Sequence, residues 1–290
     1  MKFWKKALCL TMSLILVIAL TGCSGFTPRV VTGVQKTARL ESLHTDTTIT
    51  ADVTLTLLNQ ETPLTLTVRA AGDHQKDPAL NALDLELELL DIDQHVLLYT
   101  MKEGDVLSVY SSWDNGEFWT RQTIEPEEGA VGTETALSPT DILKLALGLA
   151  SYFHETGPVT LSGDDGEALD GLSYEGVIPA DVVQELLLSS GLTEKLGEDP
   201  AIQVNELLIP LVGDVPVKLA LQKDSSMISR VELDLTQALG AALNELIAGA
   251  IGQSELLGAA VGLTVDGIHS ITDLSRFDKV NVTMPALPES

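Results

Sequence analysis

The chain has 290 residues, of which 42 are acidic and 17 are basic, so its formal net charge is −25. Such a charge repels the phosphate backbone, which excludes a general nucleic-acid-binding protein. Hydrophobic residues make up 44% of the chain, well above the range of disordered proteins, while aromatic residues make up only 4%. The sequence therefore predicts a folded protein with an aliphatic core.

The first 22 residues have the order of parts typical of an export signal. Lys2, Lys5 and Lys6 precede an apolar run from Ala7 to Leu20. That run is shorter than the roughly 20 residues that a membrane-spanning helix needs. Leu20-Thr21-Gly22-Cys23 follows as a lipobox. We therefore expect residues 1–22 to be removed and Cys23 to carry lipid as the first residue of a mature lipoprotein.

Lipidation at Cys23 would fix the location and the redox chemistry of the protein. Two or three acyl chains anchor a protein stably, since each buried methylene contributes roughly 0.8 kcal/mol. The expected location is the extracytoplasmic face of the cell membrane. Cys9 is lost with the signal, so the mature chain has one cysteine and no disulfide. Residues 23–32 are predicted to be a tether, and residues 33–290 a single domain.

The first half of that domain is predicted to be one short helix and a β-meander. Helical spacing predicts the helix over Val34–Leu43. From Thr45 onward, apolar residues alternate with polar ones, which indicates strands with one buried face. Short turns between such strands favour antiparallel pairing. The predicted strands are Ile49–Leu57, Leu64–Val68, Leu83–Leu89, Val96–Met101, Val106–Tyr110 and one ending near Ile124.

The second half is predicted to alternate helices and hairpins. Ser138 and Pro139 are suited to begin a helix, whose apolar stripe runs to Phe153. Val159–Ser162 and Leu172–Ile178 follow as strands around an acidic turn. The remaining predicted elements are a helix at Pro179–Ser190, a hairpin of Val215–Gln222 with Met227–Leu235, and final strands at Val261–Ile271 and Val280–Met284.

The segment Thr236–Gly258 has a broad apolar face interrupted by glycines. Asn244-Glu245 and Gln253–Glu255 break the apolar run, which excludes a membrane span. A buried core helix is one interpretation, and a helix that forms the wall or lid of an apolar cavity is the other. Several glycines indicate close packing or a weak, movable element. The candidate ligand-binding residues on this segment are Leu239, Leu243, Leu246, Ile247 and Ile251.

The polar motifs predict structure and not catalysis. Ser112-Trp113-Asp114-Asn115-Gly116-Glu117-Phe118-Trp119 matches the Asp-box pattern of propeller blades, where it shapes a hairpin. The five histidines lack metal-ligand spacing, and the acidic turn at Gly163–Gly166 lacks a full calcium-loop pattern. The chain also lacks a nucleophile elbow, a phosphate loop and a dinucleotide fingerprint. We expect no enzyme activity, no cofactor and no metal.

The order of these elements resembles that of the LppX/LprG-like lipoproteins, which share the LolA-like half-barrel. The resemblance covers most of residues 33–286 and is strongest at Asp170–Gly176, at the 215–235 hairpin and at the closing Val280–Pro285 stretch. Uncharacterised Gram-positive lipoproteins with an aspartate-asparagine-glycine hairpin are also similar. The resemblance implies an α+β fold, with a single large curved antiparallel sheet wrapped around several helices, and a cavity that receives acyl chains.

Two functions remain open from the sequence. The first is a membrane-anchored protein that binds or carries a lipid or another hydrophobic molecule between sheet and helices. The second is an envelope adaptor or sensor that binds a protein partner through a sheet edge or an acidic face. A hydrolase is a distant third.

Overall fold

The computed structural model describes residues 28–58, 60–89, 92–103, 106–124, 152–164, 166–189, 209–252 and 261–284. Within them, eleven strands pair antiparallel into one sheet, in the order β6-β5-β4-β3-β2-β1-β11-β10-β9-β8-β7. The strands are β1 (Ser42–Leu57), β2 (Gln60–Gln75), β3 (Leu80–Leu89), β4 (Ile92–Glu103), β5 (Val106–Ser112), β6 (Thr120–Ile124), β7 (Phe153–Ser162), β8 (Ala168–Ile178), β9 (Val215–Gln222), β10 (Ile228–Asp234) and β11 (Val261–Ser275).

The sheet consists of two meanders, β1–β6 and β7–β11, joined where the first strand of one pairs with the last strand of the other. The predicted first meander is confirmed strand by strand. The join runs from the pair His44–Ser275 to the pair Leu57–Val261, with a bulge at Asp52 and Val53. A bulge increases the local twist of a strand. The longest strand pairs, β1 with β2 and β1 with β11, lie at the centre of the sheet.

In the described part of the chain, three α-helices and one 3₁₀ turn accompany the sheet: α1 (Pro28–Ala38), α2 (Ala180–Ser189), Ile209–Leu211 and α3 (Thr236–Gly252). Val30, Val183 and Leu235 are fully or almost fully buried with Tyr174 and Leu221 in one core on this side of the sheet. We call that side the inner face. One large antiparallel sheet curved around helices is the α+β half-barrel that the sequence predicts, and this fold class is confirmed.

The ends of the helices are fixed by side chains from neighbouring strands and loops. Asp214 accepts a hydrogen bond from the first N–H of α2, at Ala180 (2.8 Å). Asp234 accepts one from the first N–H of α3, at Thr236 (3.0 Å). The Thr236 hydroxyl accepts the N–H of Ile268 on β11. These contacts satisfy backbone groups that a helix start and a strand leave without partners.

Helix α1 begins six residues earlier than predicted, at Pro28, and takes up the second half of the predicted tether. Its Val30 and Val34 are buried at the 222–227 turn between β9 and β10, where tertiary packing stabilises a helix that sequence spacing places later. Leu43, which was predicted to lie in the helix, lies in β1. We call this end of the sheet, where α1 contacts the turns, the α1 end.

Two further predictions are wrong. Phe153 begins strand β7 and is buried in the core, so it does not continue the helix predicted over residues 138–153; residues 138–151 of that prediction lie outside the described ones. Val280–Met284 has no strand pairing. Its backbone instead crosses the α1 end, where the N–H groups of Val280 and Val282 donate to Ser42 Oγ and Gln75 Oε1. These two N–H groups therefore bond to side chains and not to the backbone of a neighbouring strand.

Two helical glycines make a matched pair for testing this packing. A methyl group at Gly33 of α1 would lie 2.6 Å from the Ser226 carbonyl oxygen, whereas one at Gly240 of α3 would meet nothing within 4 Å. Alanine is preferred over glycine in a helix by about 1 kcal/mol. We expect Gly240→Ala to raise the free energy of unfolding by up to about 1 kcal/mol. Gly33→Ala should lower it by about 1–3 kcal/mol, since a backbone clash must be relieved.

Urea unfolding of both variants beside the wild type measures the two effects. A Gly33→Ala protein as stable as the Gly240→Ala protein would contradict the packing of α1 on the β9–β10 turn.

Candidate functional site

Much of the inner face of the sheet is aliphatic from β1 to β5. Residues that pair across antiparallel strands point to the same side. The pairs Val68–Leu87 and Leu83–Leu98 therefore continue, across β2 to β4, the face on which Ile49 and Ile268 lie. The other apolar residues of this region are Leu64, Leu66, Leu85, Val96, Leu107 and Val109.

Burial divides this inner face into two parts. Over β8–β11, residues such as Leu219, Leu221 and Leu233 are at most 3% exposed. Over β2–β5, every member of the apolar set except Leu85 is partly exposed. We call this part the open apolar face; it comprises Leu64, Leu66, Val68, Leu83, Leu87, Val96, Leu98, Leu107 and Val109. Apolar surface that stays accessible beside a core is suited to binding apolar groups.

Helix α3 lies along β11 and carries the candidate ligand-binding residues. Leu239 is 7% exposed and belongs to the core, and Leu243 packs against that core. Ile247 is partly exposed. The side chains of Leu246 and Ile251 lie outside the described ones. The structure thus places Leu239 in the interior at the start of the helix and Ile247 two turns later, where exposure increases.

Asn244 attaches the middle of α3 to the sheet. Its Oδ1 accepts the N–H of Val265 (2.7 Å), and its Nδ2 donates to the Val265 carbonyl (3.2 Å). Both hydrogen bonds use backbone groups of β11 near its bulge. Gly240, one turn earlier, is buried, yet a methyl group built on it would meet nothing within 4 Å. Asn244 therefore fixes the middle of helix α3 to β11.

A chain of polar side chains crosses the inner face near the α1 end. His74 Nδ1 lies 3.0 Å from Asn81 Oδ1, and Asn81 Nδ2 donates to Thr100 Oγ1 (2.9 Å). On the other side, His74 Nε2 lies 2.9 Å from Thr45 Oγ1. Because the amide oxygen of Asn81 can only accept, Nδ1 of His74 is the donor and Nε2 accepts from Thr45. Spacing within any one strand does not indicate this polar chain, since its members come from four strands.

Burial lowers the pKa of His74 from its ordinary value of 6.5, against the hydrogen bond to Asn81 and the nearby Asp73, which raise it. The unfolded chain then takes up a proton at a higher pH than the folded one. We expect the free energy of unfolding to fall as pH drops below 6.5, by at most about 1.4 kcal/mol per pH unit for one proton.

The measurement is urea unfolding above and below pH 6.5, for the wild type and for His74→Gln. The Asn115 hydrogen bond and Asp84 raise the pKa of the exposed His95, an opposite contribution that both proteins share. The difference between the two proteins isolates His74. An equal pH dependence in both would show that His74 is not the cause.

A polar cleft of about 410 Å³ lies on the outer side of the sheet at the α1 end, with His44, Asp46, Asp164, Asp273 and Arg276 among its lining residues. Its charges are largely paired with one another. Arg230, beside it, binds both oxygens of Asp273 (2.6 and 2.9 Å). Arg276 Nη2 lies 2.7 Å from Asp73 Oδ1. In these ion pairs, each arginine is matched by an aspartate.

The turn at residues 163–166, considered above for calcium, is joined to the segment after β11. Asp164 accepts the N–H of Arg276 (2.7 Å) and the ammonium group of Lys279 (2.6 Å). Lys279 and the Arg276 N–H hold the pKa of the Asp164 carboxyl below its ordinary value. Among the described residues, no group of three or more His, Cys, Asp or Glu side chains is placed to hold a metal ion.

The Asp-box residues shape the β5–β6 hairpin, as the sequence predicts. Asp114 accepts hydrogen bonds from the Ser112 hydroxyl (2.7 Å) and from the N–H of Phe118 (2.9 Å). Asn115 and Gly116 have positive φ angles of 58° and 90°. Trp119 packs edge-on against Tyr99, with ring centroids 5.4 Å apart. The motif is used for structure at this position.

None of the helices in the described part of the chain has the length and apolar character needed to cross a membrane. No family model matches the chain, and no curated protein matches it. Eight solved chains are similar in structure. A DUF1329 family protein from Desulfovibrio piger is 12% identical and has a TM-score of 0.22; the match covers 88% of this chain and 94% of that one.

Two others are a β-barrel-like DUF1849 protein from Brucella abortus and a LolA superfamily protein from Nitrosomonas europaea. The first is 10% identical over 81% of this chain and 98% of that one, with a TM-score of 0.24. The second is 9% identical over 88% and 94%, with a TM-score of 0.18. With TM-scores this low, the likenesses add nothing to what the strand pairing and the contacts establish.

Proposed function

We propose that this protein is a membrane-anchored lipoprotein that binds or carries a lipid or another hydrophobic molecule on the inner side of its sheet. The proposed role is binding, without a catalytic step. The ligand's apolar part would lie on the open apolar face, next to helix α3. Cys23 would hold the protein at the extracytoplasmic face of the cell membrane.

The observation that carries the proposal is the incomplete burial of an aliphatic surface that continues the core. Four neighbouring strands, β2–β5, extend this surface by about 15 Å across the sheet. Burial of each methylene group there contributes roughly 0.8 kcal/mol. Aliphatic side chains without fixed polar partners are suited to acyl chains, which present only methylene groups.

Helix α3, which packs on β11, is proposed as a wall on that side of the ligand. Leu239 and Leu243 pack into or against the core, and Ile247 is partly exposed. A methyl group built on Gly240, near the start of this helix, would meet nothing within 4 Å. We infer that a bound chain contacts Leu243, Ile247 and, further along the helix, Leu246 and Ile251. Asn244 would keep the helix on β11 while the ligand enters.

The test is native mass spectrometry of the mature protein after gentle purification, followed by uptake of a fluorescent fatty acid and a fluorescent phospholipid. Co-purifying lipid masses and saturable uptake would support the proposal. A protein that emerges empty and takes up neither probe would overturn it.

A protein partner is the second candidate. Leu58 is 79% exposed at the β1–β2 turn, and Phe118 is 72% exposed in the β5–β6 hairpin, which are large apolar groups at solvent-facing turns. Crosslinking in cells distinguishes the two functions. One dominant protein partner at Leu58 or Phe118, together with an empty inner face, would favour an adaptor or sensor.

A further inference from the structure

The basic residues of this acidic protein are unevenly distributed, and the segment next to Cys23 is the exception to the acidic composition. Residues 23–40 contain Arg29, Lys36 and Arg39 and no acidic residue. The rest of the mature chain has 11 basic and 42 acidic residues. The first segment of the mature chain therefore carries a charge opposite to that of the remainder.

Helix α1 carries Arg29 and Lys36 away from its buried face, and Arg39 directly follows its last residue, Ala38. Val30, Val34 and Thr37 point into the core and are 0%, 1% and 4% exposed. Positions 29 and 36 point away from these buried residues in a helix with 3.6 residues per turn. Lys36 and Arg39 are exposed, and Arg29 is partly exposed. We call Arg29, Lys36 and Arg39 the basic face.

The hydrogen bonds of Lys36 and Arg29 go to carbonyl and hydroxyl oxygens and not to carboxylates. Lys36 Nζ donates to the Ser225 carbonyl (2.6 Å), and Arg29 donates to the Lys223 carbonyl and to Ser226 Oγ (3.3 Å). Within the described residues, no member of the basic face forms a salt bridge. Other cations of the chain do: Arg230, Arg276 and Lys218 each pair with an aspartate or a glutamate.

The position of α1 brings this face close to the expected anchor. Cys23 precedes Pro28 by five residues, which span at most about 18 Å even when fully extended. The basic face is thus held within reach of the bilayer into which the acyl chains insert. The tether also permits shorter separations, and within about one Debye length of an anionic lipid surface basic residues are attracted to it.

We propose that the basic face binds the headgroups of anionic phospholipids and so sets the orientation of the domain on the membrane. The α1 end would face the bilayer, and the Leu58 turn, about 50 Å away along the 16 residues of β1, would point outward. This inference rests on the proposed lipid anchor. Glu41, Asp77 and Asp224 at the same end reduce the attraction, which makes the orientation sensitive to salt.

The experiment uses the full mature lipoprotein in phosphatidylcholine vesicles, with or without phosphatidylglycerol. A fluorophore is placed on a cysteine introduced as Asn281→Cys at the α1 end, or as Leu58→Cys at the far end. Energy transfer to a headgroup dye is then measured. In anionic vesicles at low salt we expect transfer from position 281 to exceed that from position 58 at least two-fold. At 1 M salt, where the Debye length is about 3 Å, the two values should converge.

Charge reversal tests whether the basic face is the cause. Lys36→Glu with Arg39→Glu should make the two transfer values in anionic vesicles equal to those in neutral ones. The matched control is Arg69→Glu with Lys218→Glu, which makes the same change of charge at exposed positions on the outer side of the sheet, and it should keep the wild-type ratio. A ratio that is equal in both kinds of vesicle, or unchanged by Lys36→Glu with Arg39→Glu, would overturn the inference.

Failure of the lipid anchor and failure of lipid binding give results that differ from failure of the orientation. Without an acylated Cys23, the protein would not float with either kind of vesicle, and both the anchor and the orientation would be overturned. An empty inner face would appear only in the lipid-uptake assay, while the transfer ratio kept its dependence on anionic lipid.

Discussion

Replacement of Leu98 by aspartate will weaken the uptake of a fluorescent fatty acid at least 100-fold, with little change in stability. Leu98 lies on the open apolar face and is partly exposed, so a carboxylate there remains hydrated in the empty protein. A bound acyl chain would remove that water. Desolvating a carboxylate that has no partner costs several kcal/mol, and each 1.4 kcal/mol is a factor of ten in affinity.

The adjacent Leu97 provides the control, because successive residues of a strand point to opposite sides of the sheet. Leu97 is also partly exposed, and it pairs with Asp84 on the outer side. Leu97→Asp adds the same charge at the preceding residue, on the opposite side of the sheet, and will leave uptake unchanged. Titration of both variants with the probe, beside urea unfolding, separates binding from folding. Equal uptake by the two variants would show that the ligand does not bind on the open apolar face.

Replacement of Cys23 by serine will eliminate fatty-acid labelling of the protein. A serine hydroxyl does not supply the thiol that forms the thioether to diacylglycerol, so the acyl chains have no attachment. Two chains contribute roughly 0.8 kcal/mol per buried methylene group, which is the whole of the proposed anchor. Intact-mass analysis will show a wild-type chain that begins at an acylated Cys23, and a variant that carries no lipid.

Cys9 gives the matched control within the same chain. It lies inside the expected signal, so Cys9→Ser makes the same chemical change and will leave the labelling and the mass of the mature protein as in the wild type. A wild-type protein of unmodified mass, or a Cys23→Ser variant that still incorporates fatty acid, would contradict the lipobox interpretation.

Local sequence was sufficient for the hairpins. Alternation such as Leu83–Leu89 predicts a strand with one apolar side, and Asp114-Asn115-Gly116 predicts the turn that the structure shows, because both depend on neighbouring residues. The β1–β11 pairing was not predictable in this way. Its partners are more than 200 residues apart, and nothing in the alternation of one strand specifies a distant neighbour.

The candidate site was predicted only in part, because some of its features are local and others depend on distant residues. Periodicity identified Leu239, Leu243 and Ile247 as an apolar helix face, but it does not distinguish a core residue from one that borders open space. Register across β2–β5 reveals the open apolar face, whose members come from separate strands. The helix predicted at Val34 was misplaced because buried Val30 and Val34 depend on the β9–β10 turn, which spacing within the helix does not include.

The sequence by itself determined the expected export signal, the acidic charge, the first meander and the aliphatic character of the interior, since each depends on composition or on neighbouring residues. Only the tertiary structure decided which apolar residues are fully buried, and which side of α1 carries Arg29 and Lys36. It also decided that the C-terminal segment crosses the α1 end without forming a strand. These features depend on contacts between residues far apart in the chain, where burial and hydrogen-bond partners are set by the assembled sheet.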